Sequence, residues 1–359
     1  MKKTLILLII FLSLIILTSC ENFNIINNNN EVINQNEDPD ITDPNQNNNI
    51  DPNPNPNNNN IDNTNNNTTD ITTIPLYNGL SDVITKYVDE NDDIAYIPAG
   101  FIISSDKDEK IINTGLVIIG IDGSEYVWVP TTSTSFTRSD FGSYYSSYDS
   151  FKNYYDETDL LLYKEMEESV AKYNGFYMGR FEASYSSGTS LDDYIPASKR
   201  ILSSDDGRIW VNFGPSNATR ACENLYKDND TVQAFFPWGI NYDTTLSWLI
   251  STGNKTYNQV ASDSTTWGNY SNDTFSENET GKTTGKYEQT KSNNIYDLAG
   301  NNWEWTRERN GSNYVMRGGG YNLMGGPCLG SKYPAALRDP LPGNNNHPNV
   351  TFRIALYVR

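Results

Sequence analysis

The stretch IYDLAGNNWEWT, residues 295–306, holds two acids and two tryptophans around a glycine-containing turn. Two shorter blocks follow it, RGGGY at residues 317–321 and FRIAL at residues 352–356. Because glycine adopts positive φ and permits close backbone approach, the first of these indicates a constrained structural turn. We expect Arg317 and Arg353 to brace the loops through buried polar contacts. This last quarter of the chain carries the clearest information on the fold.

The three blocks, in this order and at this spacing, resemble the formylglycine-generating enzyme (sulfatase-modifying factor) family. GFYMGRFE at residues 175–182 is similar to a strand common in that family. The resemblance covers residues 95–359 and is strong only over 294–356. It implies an α+β, C-type-lectin-like single domain with many short strands, few helices and long loops.

The resemblance also implies a structural calcium ion. At the matching positions Asp297 and Glu304 would bind through side chains, and Gly300 and Asn302 through main-chain carbonyls. Calcium takes six to eight hard oxygens, which a tight turn of carbonyls and carboxylates can supply. The alternative is a surface turn whose acids are merely solvated. A second calcium site of the family would lie within residues 255–290, with ligands that the sequence does not place.

Catalysis in the resembled family depends on two cysteines, five residues apart, that bind copper(I). The matching positions here are Leu323 and Cys328. One thiolate cannot form the paired-thiolate site that suits copper(I), so we expect no copper. Cys328 remains a residual catalytic candidate. Cys222 is interpreted as a small buried apolar residue, and a Cys222–Cys328 disulfide stays open.

The loop from residue 321 to residue 349 is the candidate ligand-binding surface. Tyr, Asn, Ser, Leu and Met on a rigid scaffold suit recognition, as in antibody loops. Proteins diversified by retroelements use the resembled fold and vary this segment. Ordinary connecting loops, with His347 a plain loop histidine, are the alternative. The candidate residues are Tyr321, Asn322, Leu323, Met324, Leu329, Ser331, Tyr333, Asp339, Asn344, Asn345, Asn346 and His347.

The N-terminus is typical of an exported lipoprotein. Lys2 and Lys3 precede an apolar run over residues 4–17, which is short for a membrane-spanning helix. The following LTSC, residues 17–20, resembles a bacterial lipobox. We therefore expect residues 1–19 to be a signal peptide and Cys20 to be lipidated, anchoring the protein to the membrane at the cell surface. An uncleaved anchor or an ordinary signal peptide is the alternative.

Residues 20–75 predict a disordered tether. They are rich in Asn, Asp and Pro, with too little apolar surface to offset the entropy of ordering. The head is expected at residues 76–359. No internal repeat is evident in it.

Composition excludes several classes of function. The net charge of −19 argues against nucleic-acid binding, which needs basic patches. The single histidine, His347, excludes metal sites that need two or three imidazoles. The 24 Tyr, 13 Phe and 7 Trp supply ample apolar area for one core.

Hydrophobic patterns predict the main elements of the head. Strands are expected at residues 95–101, 115–119, 125–130 and 176–182. Leu162, Met166 and Val170 predict a helix that stops at Asn174-Gly175. Two further helices are expected, one capped by Ser216 or Asn217 and one over residues 243–253. Residues 135–155 and 254–292 are read as loops.

The leading functional hypothesis is a surface-displayed, non-catalytic module that binds a protein or glycan ligand. A formylglycine-type oxidase, or a relative with altered chemistry, is the second hypothesis. The third is a purely structural envelope protein.

Overall fold

The elements of the head are short, and strands outnumber helices. The computed structural model describes residues 69–142, 154–185, 195–203, 206–270, 281, 283–323, 326–327, 330–343 and 346–359. Within them the helices are α1 (Ile112–Gly115), α2 (Glu157–Tyr173), α3 (Pro215–Asn224), α4 (Gly239–Ser251) and α5 (Tyr257–Ala261). The strands are β1 (Thr85–Val88), β2 (Ile94–Ile97), β3 (Phe101–Ile103), β4 (Val117–Gly120), β5 (Glu125–Pro130), β6 (Gly175–Gly179), β7 (Ser184–Tyr185), β8 (Pro196–Ala197), β9 (Val232–Phe235), β10 (Trp303–Asn310), β11 (Asn313–Arg317), β12 (Asn322–Leu323), β13 (Gly326–Pro327), β14 (Asp339–Leu341), β15 (Val350–Phe352) and β16 (Ala355–Val358).

The largest sheet has six antiparallel strands in the order β3-β4-β5-β6-β16-β9. Its two faces are buried in separate hydrophobic clusters, because side chains alternate along each strand. In β5, Tyr126 and Trp128 belong to one cluster, whereas Val127 and Val129 belong to the other. The sheet is therefore the central layer of the head.

A second sheet has the order β14-β11-β10-β15 and carries the candidate site. Its β10–β15 pair is parallel, and its other pairs are antiparallel. The chain leaves this sheet at Phe352 and enters the central sheet at Ala355. Arg353 consequently lies at the junction of the two sheets.

Helix α2 follows its predicted pattern closely. The Asp156 side chain accepts a hydrogen bond from the Asp159 backbone N–H and caps its first turn. Its last turn ends at Asn174, which has a left-handed φ of 57°. At Gly175 a Cβ would come within 2.2 Å of the Trp128 ring, so the strand that follows can begin only with glycine.

Other predicted boundaries differ from the structure. The predicted strand 95–101 is two strands, β2 and β3, because Gly100 turns the chain with a φ of 80°. Helix α3 starts at Pro215 after Gly214, without the expected Ser216 or Asn217 cap. Helix α4 begins at Gly239, four residues before the predicted start.

The predicted loop at residues 254–292 contains helix α5, which is a correction. Thr256 caps the backbone N–H of Gln259, and the Gln259 side chain accepts from the Thr256 N–H. This reciprocal pair is a capping box. The remaining predicted strands at 115–119, 125–130 and 176–182 correspond to β4, β5 and the shorter β6.

Residues Ile71–Arg359 form one compact α+β unit, as the sequence predicted for the head. The unit begins slightly before the predicted boundary at residue 76. Ile74 is buried in the core, and the Pro75 carbonyl accepts a hydrogen bond from the Lys86 N–H of β1. Met1–Asp70 is the other unit, of which only residues 69 and 70 are described. Among the described residues, none of the helices has the length and apolar character needed to cross a membrane.

Candidate functional site

The Asp297–Glu304 turn lies in the interior. Asp297 is 2% exposed and Glu304 is 1% exposed, so the interpretation as a solvated surface turn is wrong. Asp297 and Asn301 adopt left-handed φ values of 57° and 58°, and Gly300 of 74°. At Gly300 a Cβ would meet the Asn269 carbonyl oxygen at 2.3 Å, which explains the glycine. The turn is thus a constrained, buried structure.

Each acid of this turn has partners within the protein. The Asp297 carboxylate accepts from the Thr284 hydroxyl at 2.9 Å and the Gly285 N–H at 2.8 Å. The Glu304 carboxylate is held by the Arg353 guanidinium through Nη2 at 2.5 Å and Nε at 3.2 Å. Arg353 also donates to the Gly179 carbonyl of the central sheet. The bracing role predicted for Arg353 is therefore confirmed.

Glu182 is a buried acid that the sequence analysis did not select. It is fully buried and accepts from the Asn302 N–H at 2.9 Å and from the side-chain amides of Asn301 and Asn302. Burial, and then the charges of Asp297 and Glu304, raise its pKa well above the usual range. Its place at the end of the GFYMGRFE block was the only signal in the sequence.

The oxygen donors of this centre are of the type that calcium prefers. Three buried acids, Glu182, Asp297 and Glu304, lie around one guanidinium, that of Arg353, and burial raises the pKa of each acid. Carboxylate and carbonyl oxygens are the ligands that calcium prefers. Arg353 already occupies both Glu304 oxygens, and no group of three or more His, Cys, Asp or Glu in the described part of the chain is arranged to hold a metal ion. Calcium at Asp297, Gly300, Asn302 and Glu304 therefore stays a prediction.

A second buried centre joins helix α4 to the second sheet. Its acids are Asp243 and Glu308, both with fully buried side chains. Arg317 bridges them at 2.7 and 3.0 Å, which confirms its predicted bracing role. Arg338 contacts Asp243 at 2.7 Å and Glu308 at 2.8 Å. Arg138 donates through Nε to Asp243 at 2.7 Å and through Nη2 to Glu308.

The candidate ligand-binding loop starts with a small hairpin. In it, Asn322 pairs with Pro327 and Leu323 with Gly326, as strands β12 and β13. Met324, Cys328, Leu329, Asn344 and Asn345 lie outside the described residues. Tyr321 is half-buried, and its N–H donates to the Asn301 carbonyl of the buried turn at 2.8 Å.

Two of the predicted ligand-binding residues rest on the tryptophans of β10. The Tyr333 ring meets Trp303 edge-on at 5.7 Å, and the His347 ring lies 5.9 Å from Trp305. Burial lowers the pKa of His347. Because Trp303 and Trp305 are two residues apart on one strand, they share a face of β10. The structure thus brings Tyr333 and His347 to the same side of the second sheet.

The other described candidates have different neighbours. Ser331 is exposed and follows Gly330, whose carbonyl accepts from the Ser264 N–H. Asn346 is exposed beside His347, whose carbonyl accepts from the Asn212 N–H. Asp339 is half-buried in β14, where burial raises its pKa to about 6. The described residues of the predicted ligand-binding loop therefore contact different parts of the head rather than one common support.

Cys222 is the free cysteine within the described residues. It is fully buried on helix α3, and burial raises the pKa of its thiol. Its interpretation as a small buried residue is confirmed, and such a thiol is inert as a nucleophile at neutral pH.

Comparison with known proteins adds little. No protein-family model and no curated protein match the chain. The crystal structure of CarF is similar with a TM-score of 0.35 and 15% identity, covering 52% of this chain and 87% of CarF. Treponema denticola variable protein 1 is similar with a TM-score of 0.26 and 13% identity, covering 76% of this chain and 98% of that protein. Likenesses this weak carry no argument about fold or function.

Proposed function

We propose that this protein is a non-catalytic binding module, displayed at the cell surface by a lipid on Cys20. The observation that supports the proposal is the set of contacts that hold the 321–349 loop on the rest of the head. Tyr321 at its start is hydrogen-bonded to the buried turn, and the rings of Tyr333 and His347 lie against the tryptophans of β10. Ser331, Lys332 and Asn346 remain exposed. Exposed polar side chains on a rigid support suit recognition of a protein or glycan.

The oxidase hypothesis has less support. It requires a pair of thiolates near one another, and the chain has Leu323 at one of the two matching positions. Cys222 is enclosed in the core, so its sulfur offers no replacement. The membership in the formylglycine-generating enzyme family that motivates the oxidase is itself still a prediction.

An array of glycans and extracellular proteins, probed with the purified protein, tests the proposal. We expect a specific ligand whose binding is lost in Ser331→Arg and in Asn346→Arg. Lys164→Gln, with a side chain 71% exposed on helix α2, is the matched control and should bind as the wild type does. Binding that persists in both loop variants would show that the 321–349 loop is not the ligand surface.

Incubation with a cysteine peptide of the sulfatase type separates the two hypotheses. We expect mass spectrometry to find the peptide unchanged, with or without copper(I). A mass loss at its cysteine that depends on Cys328 would make the protein an enzyme.

A further inference from the structure

Exposed apolar side chains are concentrated at the start of the head. Seven of the thirteen large hydrophobic side chains that are exposed in the described part of the chain lie within residues 71–102. Such side chains are ordinary when they are scattered singly, whereas a contiguous group marks an interaction surface. The strand pairing of this region shows which of them share a face.

Three of these side chains lie on one face of the β1–β2 hairpin. Val88 is directly opposite Ile94, so their side chains point to the same side. Lys86, two residues before Val88, points to this side as well, and Leu76 pairs with Lys86 in a parallel bridge. Leu76 is 65% exposed, Val88 36% and Ile94 41%. We refer to Leu76, Lys86, Val88 and Ile94 together as the β1–β2 face.

The β1–β2 face is held by the rest of the head. On the opposite side of the hairpin, Ala95 is buried in the hydrophobic core. The Tyr77 N–H donates to the Lys86 carbonyl and the Lys86 N–H to the Pro75 carbonyl, both at 2.7 Å. These bonds fix Leu76 beside β1. A partner would therefore meet a preformed surface, whose ordering costs little on binding.

An acidic turn borders the β1–β2 face. The buried Asp89 carboxylate orders this turn by accepting two of its backbone N–H groups, at 2.9 and 3.0 Å. Glu90 and Asp92 are exposed in the turn. Because Val88 and Ile94 lie at the two ends of the turn, the exposed acids are next to the apolar side chains.

The charge of this surface restricts its partner. Lys86 supplies one positive charge against the two negative charges of Glu90 and Asp92, so a partner that is apolar and positively charged is complementary. Residues 20–68 of this chain carry several acids and no Lys or Arg, and a second copy of the chain brings a net charge of −19. An anionic lipid surface would be repelled for the same reason.

We propose that the β1–β2 face docks a basic segment of another protein. Apolar side chains of that segment cover Leu76, Val88 and Ile94, and its Lys or Arg residues lie against Glu90 and Asp92. This interaction is additional to the ligand binding proposed for the 321–349 loop, which uses other residues.

Selection from a display library of random peptides, with the purified protein as the target, tests the proposal. We expect the enriched peptides to combine apolar residues with Lys or Arg. Their affinity should fall as salt is raised, since the acids of the turn are exposed and easily screened. Enrichment of peptides without basic residues, or no enrichment at all, would overturn the proposal.

Variants of the protein locate the binding of a selected peptide. Leu76→Ser and Ile94→Thr should each weaken it about tenfold, because each removes apolar area from the contact. Ile121→Ser is the matched control: it removes a side chain that is 92% exposed in the turn between β4 and β5, and should leave the affinity unchanged. Glu90→Gln combined with Asp92→Asn should weaken binding a few-fold and reduce its salt dependence.

Unchanged affinity in both Leu76→Ser and Ile94→Thr would show that the β1–β2 face is not the docking surface. Melting temperatures check that the variants fold, and if Ile94→Thr does not, the more exposed Leu76→Ser still decides. Phosphatidylcholine vesicles, and sedimentation at rising protein concentration, examine the other occupants. Vesicle binding or self-association that Leu76→Ser abolishes would overturn the proposal and assign the face to a membrane or to a second copy.

Discussion

At the scale of single residues, the molecule is organised by ionisable groups placed in its interior. Asp243, Glu308, Arg317 and Arg338 form one centre, and Glu182, Asp297, Glu304 and Arg353 form another. Charges in such positions are tolerated only with close partners, because their desolvation is costly. Each partner is therefore more important for stability than a surface charge of the same type.

Asp243→Asn should destabilise the protein by about 3–5 kcal/mol, because the buried Arg317 and Arg338 would lose one of the two carboxylates that they share. Urea denaturation followed by circular dichroism measures the loss. Glu168→Gln is the matched control: it breaks the exposed i,i+4 pair with Lys164 and should cost less than ~0.5 kcal/mol. A similar loss in both variants would contradict the special role of the buried centre.

Asp339→Asn should stabilise the protein at neutral pH. Burial raises the pKa of Asp339 to about 6 in the folded state, above the ~3.9 of an unfolded aspartate. The folded state thus disfavours the ionised form. The penalty is absent below pH ~4, grows as the pH rises through about 6, and is complete above it. We expect a gain of ~1–2 kcal/mol at pH 7.5, allowing for partial exposure, and none at pH 4. A gain independent of pH would exclude this explanation.

At the scale of elements, the Asp297–Glu304 turn connects most of the molecule. Its Gly300 N–H donates to the Gly318 carbonyl at 2.8 Å, and its Asn301 N–H to the Asn269 carbonyl at 2.7 Å. Glu304 reaches Arg353, at the junction of the two sheets. A perturbation of this turn should therefore propagate to both sheets.

Chelation of calcium should lower the melting temperature, because an ion that binds only the folded turn stabilises the folded state by mass action. Asp297→Asn replaces a carboxyl ligand by an amide with little change of shape and should remove most of the chelator effect. Thermal unfolding with and without EGTA measures both. Identical curves for the wild type in EGTA and in calcium would show that the turn is held by Arg353 and the amides alone.

At the scale of the whole molecule, the compact unit Ile71–Arg359 follows a long segment of low apolar content. Residues 20–68 are dominated by Asn, Asp and Pro, which disfavours packing. Ile74, in contrast, lies in the core. The position at which the chain begins to contribute to stability should therefore fall between residues 68 and 74.

Deletion of residues 25–68 should change the melting temperature of the head by less than a few degrees. Ile74→Asp, only a few residues further on, should lower it clearly, since it places an unpaired charge in the core. Differential scanning calorimetry compares them. A large loss on deletion would mean that the segment packs on the head.

The sequence by itself determined the elements whose signals are local. The apolar spacing of Leu162, Met166 and Val170 and the Asn174-Gly175 stop defined helix α2, since a helical face and its cap are set within a few residues. The alternation in residues 125–130 defined β5 for the same reason. The resemblance of the 295–306 stretch also singled out a turn that is indeed buried.

Only the tertiary structure decided which distant residues meet. Glu182 joins a turn 119 residues away through Asn301, and Arg138 reaches Glu308 across 170 residues. The hydrophobic periodicity of the sequence does not indicate such pairings, because they depend on how sheets and helices pack together rather than on local spacing. The same is true of the buried centre at Asp243 and Glu308. That centre exists only because three arginines from separate segments converge on two buried carboxylates.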